Sequence, residues 1–144
     1  MIPGLAGAGA ERVASNLSLF LPADIYDKYI IVYDSTNICY PYEGNFISIN
    51  VKASQNPFVK LAALIKRIYK VRRIKKKYNI HVTLSFMEGP NIVNIFSKCG
   101  DKTIISVRNY ISKSCNTVYG RIHKKLAALF YNRADEIIVV SKAI

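Results

Sequence analysis

The opening segment Gly4-Leu5-Ala6-Gly7-Ala8-Gly9-Ala10-Glu11 places three glycines within six residues. Glycines let a backbone approach a ligand closely, and a helix that follows offers unpaired N–H groups to an anion. Gly7, Ala8 and Gly9 are therefore candidate substrate-binding residues, with glycines as plain turn-formers the alternative. Two phosphate-binding patterns are absent. Gly7-Ala8-Gly9 is followed by Ala10, Glu11 and then Arg12 where the dinucleotide fingerprint has its third glycine, and no Gly-Lys-Ser/Thr follows.

Three later apolar runs end in polar side chains: Ser85 with Glu88, Ser106 with Arg108 and Asn109, and Ser141 with Lys142. In open parallel sheets the ligand sits beyond the carboxyl ends of the strands, the edge where the glycine loop also lies. One rim would then gather glycines, hydroxyls, a carboxylate and a guanidinium; the alternative is ordinary polar loop residues. Glu88 is the acid best placed to act as a general base, a role that needs reach to a defined proton. His81 and His123 have no partner at metal spacing and read as structural or exposed. Cys39, Cys99 and Cys115 match no zinc pattern and read as free thiols in a reducing compartment. No metal or bound cofactor is expected.

The elements that must position these residues follow from periodicity. Met1-Ile2-Pro3 reads as the stub of a strand. Ala10, Val13, Ala14 and Leu17 recur at helical spacing, with Glu11 where the helix dipole favours an acid and Pro22 as the stop. Residues 29–33 form a strand, residues 46–51 another, and the polar residues 34–45 a loop. A long helix is expected over 57–78 with Leu61, Leu64, Ile65, Ile68 and Val71 as its apolar stripe. Residues 81–86 form a strand. Gly89-Pro90 opens a short helix with Ile92, Ile95, Phe96 and Cys99 inward, closed by Gly100. Residues 103–107 form a strand, and 118–132 a helix burying Tyr119, Ile122, Leu126, Leu129 and Phe130. The run 136–140 is apolar enough to be a strand covered on both faces. This alternation predicts one α/β domain with a mainly parallel sheet.

The chain has 144 residues and a formal charge of +12, which implies an anionic partner. On the long helix, Lys66, Arg67, Lys70, Arg73, Lys76 and Lys77 fall opposite the apolar stripe, while Arg72 and Lys75 do not fit that division. The basic side reads as a solvated face, an anionic membrane surface or a nucleic-acid contact; no nucleic-acid motif accompanies it. No secretory signal and no spanning segment are apparent, so a cytoplasmic protein, or one on the cytoplasmic face of a membrane, is expected.

Four segments resemble the N-terminal domain of family 4 glycosyltransferases, in order and over essentially the whole chain. Gly7-Ala8-Gly9-Ala10-Glu11-Arg12-Val13 resembles "Gly-Gly-Ala-Glu-Arg-Val". Thr83-Leu84-Ser85-Phe86 resembles "Val-Ile-Ser-Phe". Ile105-Ser106-Val107-Arg108-Asn109 resembles "Ile-Ser-Glu-Arg-Asn", with Val107 where the family has an acid. Tyr131-Asn132-Arg133-Ala134-Asp135-Glu136-Ile137-Ile138-Val139-Val140-Ser141 resembles "Tyr-Arg-Arg-Ala-Asp-Ala-Ile-Val-Ala-Val-Ser".

The resemblance implies the N-terminal half of a GT-B enzyme: a Rossmann-like, mainly parallel sheet with helices on both faces. Such enzymes transfer a sugar from a nucleotide diphosphate sugar, their co-substrate, to a glycan or lipid-linked acceptor without an essential metal. Gly7, Ala8 and Gly9 would line the cleft near donor phosphates and acceptor, and Arg108 and Asn109 would face the acceptor. The expectation is one acceptor-side domain over 1–144, with most of its first strand and its donor-binding half absent and no useful transfer by itself. A non-catalytic subunit that completes its cleft with a donor-binding chain, and a basic anion- or nucleic-acid-binding module, are the alternatives.

Overall fold

The aromatic and β-branched run Tyr29-Ile30-Ile31-Val32 forms strand β1 (Tyr29–Val32) in the computed structural model, which describes residues 1–51, 56–108 and 129–139. The described residues form an α/β fold with Rossmann-like parallel strands, as expected. They make two sheets, however, where one was predicted, within two compact units, Met1–Lys70 and Val71–Ile144.

In the first unit β1 pairs in parallel with β2 (Asn45–Ser48), Tyr29 opposite Asn45 and Val32 opposite Ser48. The stub at the start is real but reduced to single bridges, Ile2 to Val32 and Leu5 to Ile38, both parallel. Ile2, Leu5 and Val32 are buried with Ile30 and Ile31 as the core of this unit. Helix α1 (Gly9–Phe20) ends before Pro22, as its sequence requires. Its deepest face is not the apolar one. Glu11, Ser15 and Ser18 are buried, whereas Ala10, Val13, Ala14 and Leu17 are half-buried. The loop after β1 covers that polar line: Ser15 Oγ donates to Pro41 O at 2.6 Å, and Glu43 N donates to Ser18 Oγ at 3.2 Å. At the far end of α1 the Lys28 ammonium donates to Ser18 O (2.7 Å) and Leu21 O (2.9 Å), carbonyls at the negative end of the helix dipole.

Gly44 is the glycine this unit cannot replace. Its φ is +99°, and a Cβ there would meet Lys28 O at 2.6 Å.

Helix α2 (Pro57–Lys77) forms where periodicity placed it. It is rotated from the predicted orientation. Leu64 and Ile68 are half-buried and Val71 is fully buried, but Leu61 and Ile65 are exposed. Polar partners set this rotation. Arg67 Nη2 donates to Val51 O at 2.7 Å with its guanidinium over the Tyr33 ring, and Lys70 Nζ donates to Ile49 O at 2.5 Å. Burial pushes the Tyr33 phenol well above its ordinary range, against the pull of Arg67.

The second unit orders its strands β3 (Val82–Phe86), β4 (Lys102–Val107) and β5 (Glu136–Val139) side by side, all parallel. Helix α3 (Glu88–Phe96) connects β3 to β4. It buries Ile92 and Ile95 as expected, but also Asn91 and Asn94, and Ser97 just beyond its end. Of the expected helix over 118–132, only 129–132 lie within the described residues. Leu129 is exposed rather than buried, and Phe130 packs edge-on against Phe96. Tyr119, Ile122 and Leu126 lie outside the described residues. A 3-10 turn, Tyr131–Arg133, leads into β5.

Strand β5 corrects the expectation of cover on both faces. Ile137, Ile138 and Val139 are 45%, 45% and 47% exposed. Among the described residues β5 pairs with β4 alone. An apolar run states a preference for burial, but a strand on the outside of its sheet has fewer neighbours to satisfy it.

The centre of the second unit is a buried ion pair. Lys75, one of the two cations that fit neither side of α2, is 1% exposed. Its ammonium donates to Asp101 Oδ2 and to Asn94 Oδ1, each at 2.7 Å. Burial pulls the Lys75 ammonium below its ordinary value, and Asp101 offsets part of that. Burial pushes the Asp101 carboxyl up, but the hydrogen bonds from Lys75 and Cys99 N–H outweigh it and hold the carboxyl below its ordinary value.

Breaking a buried pair leaves an uncompensated charge, so Lys75→Met is expected to cost about 3–5 kcal/mol in urea unfolding. Lys75→Met combined with Asp101→Leu should recover a large part of that loss, since no buried charge remains. Because the folded carboxyl has the lower pKa, the stability due to Asp101 is present above its unfolded value, about 3.9. It is lost as pH falls through the folded value. A urea midpoint flat between neutral pH and pH 3 for the native chain would contradict this.

Candidate functional site

The glycine loop is a tight turn into the positive end of α1. Gly7 has φ +117°, and at neither Gly7 nor Gly9 would a Cβ meet an atom within 4 Å beyond the adjoining residues and the helix backbone. That leaves space for close approach at the backbone. The loop N–H groups are not all free, however. Glu11 reaches back from the third helical position, and its Oε2 accepts from Gly7 N at 2.7 Å and from Ala8 N at 3.0 Å. This is the returning half of a capping box. Tyr40 adds a hydrogen bond from its hydroxyl to Gly7 O at 3.1 Å. The α1 start therefore carries the chain's own carboxylate where an incoming phosphate would sit. The three-residue spacing from Ala8 to Glu11 is the sequence signal for this role.

The second unit has its own rim at the carboxyl ends of β3 and β4. The residues expected there separate onto opposite faces of the sheet. Ser85 is fully buried toward α3. Its hydroxyl donates to Asn91 Oδ1 at 2.8 Å and accepts from Asn94 Nδ2 at 3.1 Å. Asn94 Nδ2 also donates to Thr83 O and Ile104 O, and Asn91 Nδ2 to Ser106 O at 3.1 Å. Ser85 is thus committed to fixing α3 on the strands rather than to a ligand. The sequence carries the signal: Asn91, Asn94 and Ser97 repeat at three-residue spacing, a polar line beside the isoleucines of the same helix.

Arg108 leaves the end of β4 on the other face. Its guanidinium lies 5.3 Å from the centre of the Phe86 ring, and its Nε is buried without a hydrogen-bond partner among the described residues. Ser106 is 1% exposed, and its Oγ likewise has no partner there. Parallel register sets Ser106 beside Phe86, so alternation along the strands puts Phe86, Ser106 and Arg108 on one face.

Glu88 opens α3 and is half-buried. Tyr131 opens the 3-10 turn that leads to β5 and is buried. Burial raises the Tyr131 phenol above its ordinary value; Asn91 acts in the opposite sense and Glu88 adds to the rise. The Tyr131 hydroxyl is buried and has no hydrogen-bond partner among the described residues. Between β3 and α3, Met87 is held at φ 75°, ψ 158°, a region that glycine alone occupies freely. This strained turn sets the direction in which Glu88 leaves the strand.

The remaining expected residues are distributed as follows. Asn109, Ser141, Lys142, Cys115 and His123 lie outside the described residues. His81 is exposed, with Nε2 3.4 Å from Asn79 Nδ2. Cys39 is an exposed thiol and Cys99 a half-buried one. Of the basic set on α2, Lys66, Arg73, Lys76 and Lys77 are exposed, while Arg67 and Lys70 turn inward to carbonyls. No group of His, Cys, Asp or Glu among the described residues could hold a metal, and no described helix is long and apolar enough to cross a membrane.

Met87→Gly relieves the positive φ and is expected to stabilise the second unit by about 1 kcal/mol in thermal unfolding. Glu11→Ala leaves two loop N–H groups without their acceptor and should cost about 1–2 kcal/mol by the same measurement.

No family model, curated protein or solved structure matches this chain.

Proposed function

We propose that this chain is the acceptor-side domain of a glycosyltransferase, moving a sugar from a nucleotide diphosphate sugar to a glycan or lipid-linked acceptor. The observation that supports this reading is the placement of the four resembling segments. Residues 7–13 turn into α1, 83–86 lie in β3, 105–108 end β4, and 131–139 run from the 3-10 turn through β5. All the strands involved are parallel, and ligands of such sheets sit beyond the carboxyl ends.

The electrostatics favour the acceptor side over the donor side. Departure of a nucleotide diphosphate develops negative charge, and its stabilisation by cations and N–H dipoles is usually the largest catalytic contribution. In this chain the Gly7 and Ala8 N–H groups already hold Glu11, whose carboxylate would repel a diphosphate. Arg108, whose Nε has no hydrogen-bond partner among the described residues, suits an acceptor hydroxyl or an acceptor-linked phosphate. Glu88, half-buried at the start of α3, is the carboxylate we assign the role of base toward an acceptor hydroxyl.

The 144 residues by themselves are expected to bind acceptor without transferring sugar. Calorimetry against lipid-linked and free glycan acceptors tests this. Arg108→Ala should weaken acceptor binding about tenfold or more, the equivalent of one lost charged hydrogen bond. Sugar transfer by the purified chain, or acceptor binding indifferent to Arg108→Ala, would overturn the respective part of the proposal.

A further inference from the structure

Helix α2 carries nine basic residues and no acidic one along Pro57–Lys77. Its outward face is not simply charged. Leu61, Ile65 and Tyr69, four residues apart, are 58%, 60% and 66% exposed. Arg72 and Lys76 continue the same line, and Lys66, Arg73 and Lys77 flank it, all exposed. None of these five cations pairs with a carboxylate among the described residues. The inward face is filled separately by Leu64, Arg67, Ile68, Lys70, Val71 and Lys75.

Such a face is poorly explained by solvation, which gives no use for a leucine, an isoleucine and a tyrosine in register. A helix lying along a nucleic-acid backbone would use the cations but gain little from an apolar ridge. An anionic bilayer takes both. Apolar side chains sink below the headgroups, a tyrosine sits at the interface, and lysines and arginines meet the lipid phosphates. We propose that the outward face of α2 docks on an anionic lipid bilayer, with Leu61, Ile65 and Tyr69 inserted and Lys66, Arg72, Arg73, Lys76 and Lys77 on the headgroups. The face belongs to one helix, so the proposal stands independently of the transferase reading.

The chain has no tryptophan, so Tyr69→Trp supplies a single fluorescent reporter while keeping every cation of the face. With vesicles of mixed phosphatidylcholine and phosphatidylglycerol, its emission should move to shorter wavelength and be quenched by brominated acyl chains. Phosphatidylcholine alone should leave it unchanged. In co-sedimentation of the full chain, Arg73→Gln/Lys76→Gln/Lys77→Gln should reduce partitioning about 100-fold. Leu61→Ser/Ile65→Ser should reduce it about tenfold with the charges intact. An unshifted reporter, equal binding to neutral vesicles, or full binding after Leu61→Ser/Ile65→Ser would overturn the proposal. So would a preference for duplex DNA over anionic vesicles at matched salt.

Discussion

The second unit depends on a lysine ammonium buried out of reach of water. An ammonium removed from solvent is tolerated only when paired and hydrogen-bonded, and Lys75 meets that requirement with Asp101 and Asn94. From there the constraint spreads. Asn94 must present its carbonyl oxygen to the ammonium, which leaves its amide for Thr83 O, Ile104 O and the Ser85 hydroxyl. Ser85 in turn orders Asn91, whose amide reaches Ser106 O. One charge thereby fixes how α3 lies on β3 and β4. The direction in which Glu88 and Asn91 approach the strand ends follows from it. Apolar packing by Ile92 and Ile95 adds stability, but it does not choose a single register, because greasy surfaces slide at small cost whereas a satisfied polar chain does not.

The same rule governs the first unit with different chemistry. Helix α1 is held by a carboxylate at its positive end, through Glu11, and by an ammonium at its negative end, through Lys28. Arg67 and Lys70 seek the carbonyls of Val51 and Ile49. Their inward turn leaves Leu61 and Ile65 outside. The exposed apolar ridge on α2 is thus a consequence of where the cations found acceptors.

For the proposed function the consequence is a division of labour. Residues that looked like ligand contacts in sequence, above all Ser85, serve as supports. Within the second unit, the Arg108 Nε beside Phe86 is without a hydrogen-bond partner among the described residues; within the first, open space lies beside Gly7 and Gly9. Glu11 makes the α1 start a poor phosphate cradle, because its carboxylate already takes the Gly7 and Ala8 N–H groups. Met87 holds the junction between support and site at a backbone cost that a glycine would remove.

Periodicity and turn chemistry alone determined the elements. The aromatic and β-branched run at 29–32, the stop at Pro22, the long helix through Lys77, the glycine at 100 and the parallel alternation were all legible, because each rests on local sterics and spacing. Which face of each helix turns inward was not. A hydrophobic pattern ranks faces by greasiness. Burial is decided instead by whether distant backbone and side-chain groups complete the hydrogen bonds of a charge. Asp101 lies 26 residues from Lys75, and Ile49 lies 21 from Lys70. The chain close to Lys75 in sequence shows only a misplaced cation; the acceptor that makes it the centre of a core exists only once the chain has folded.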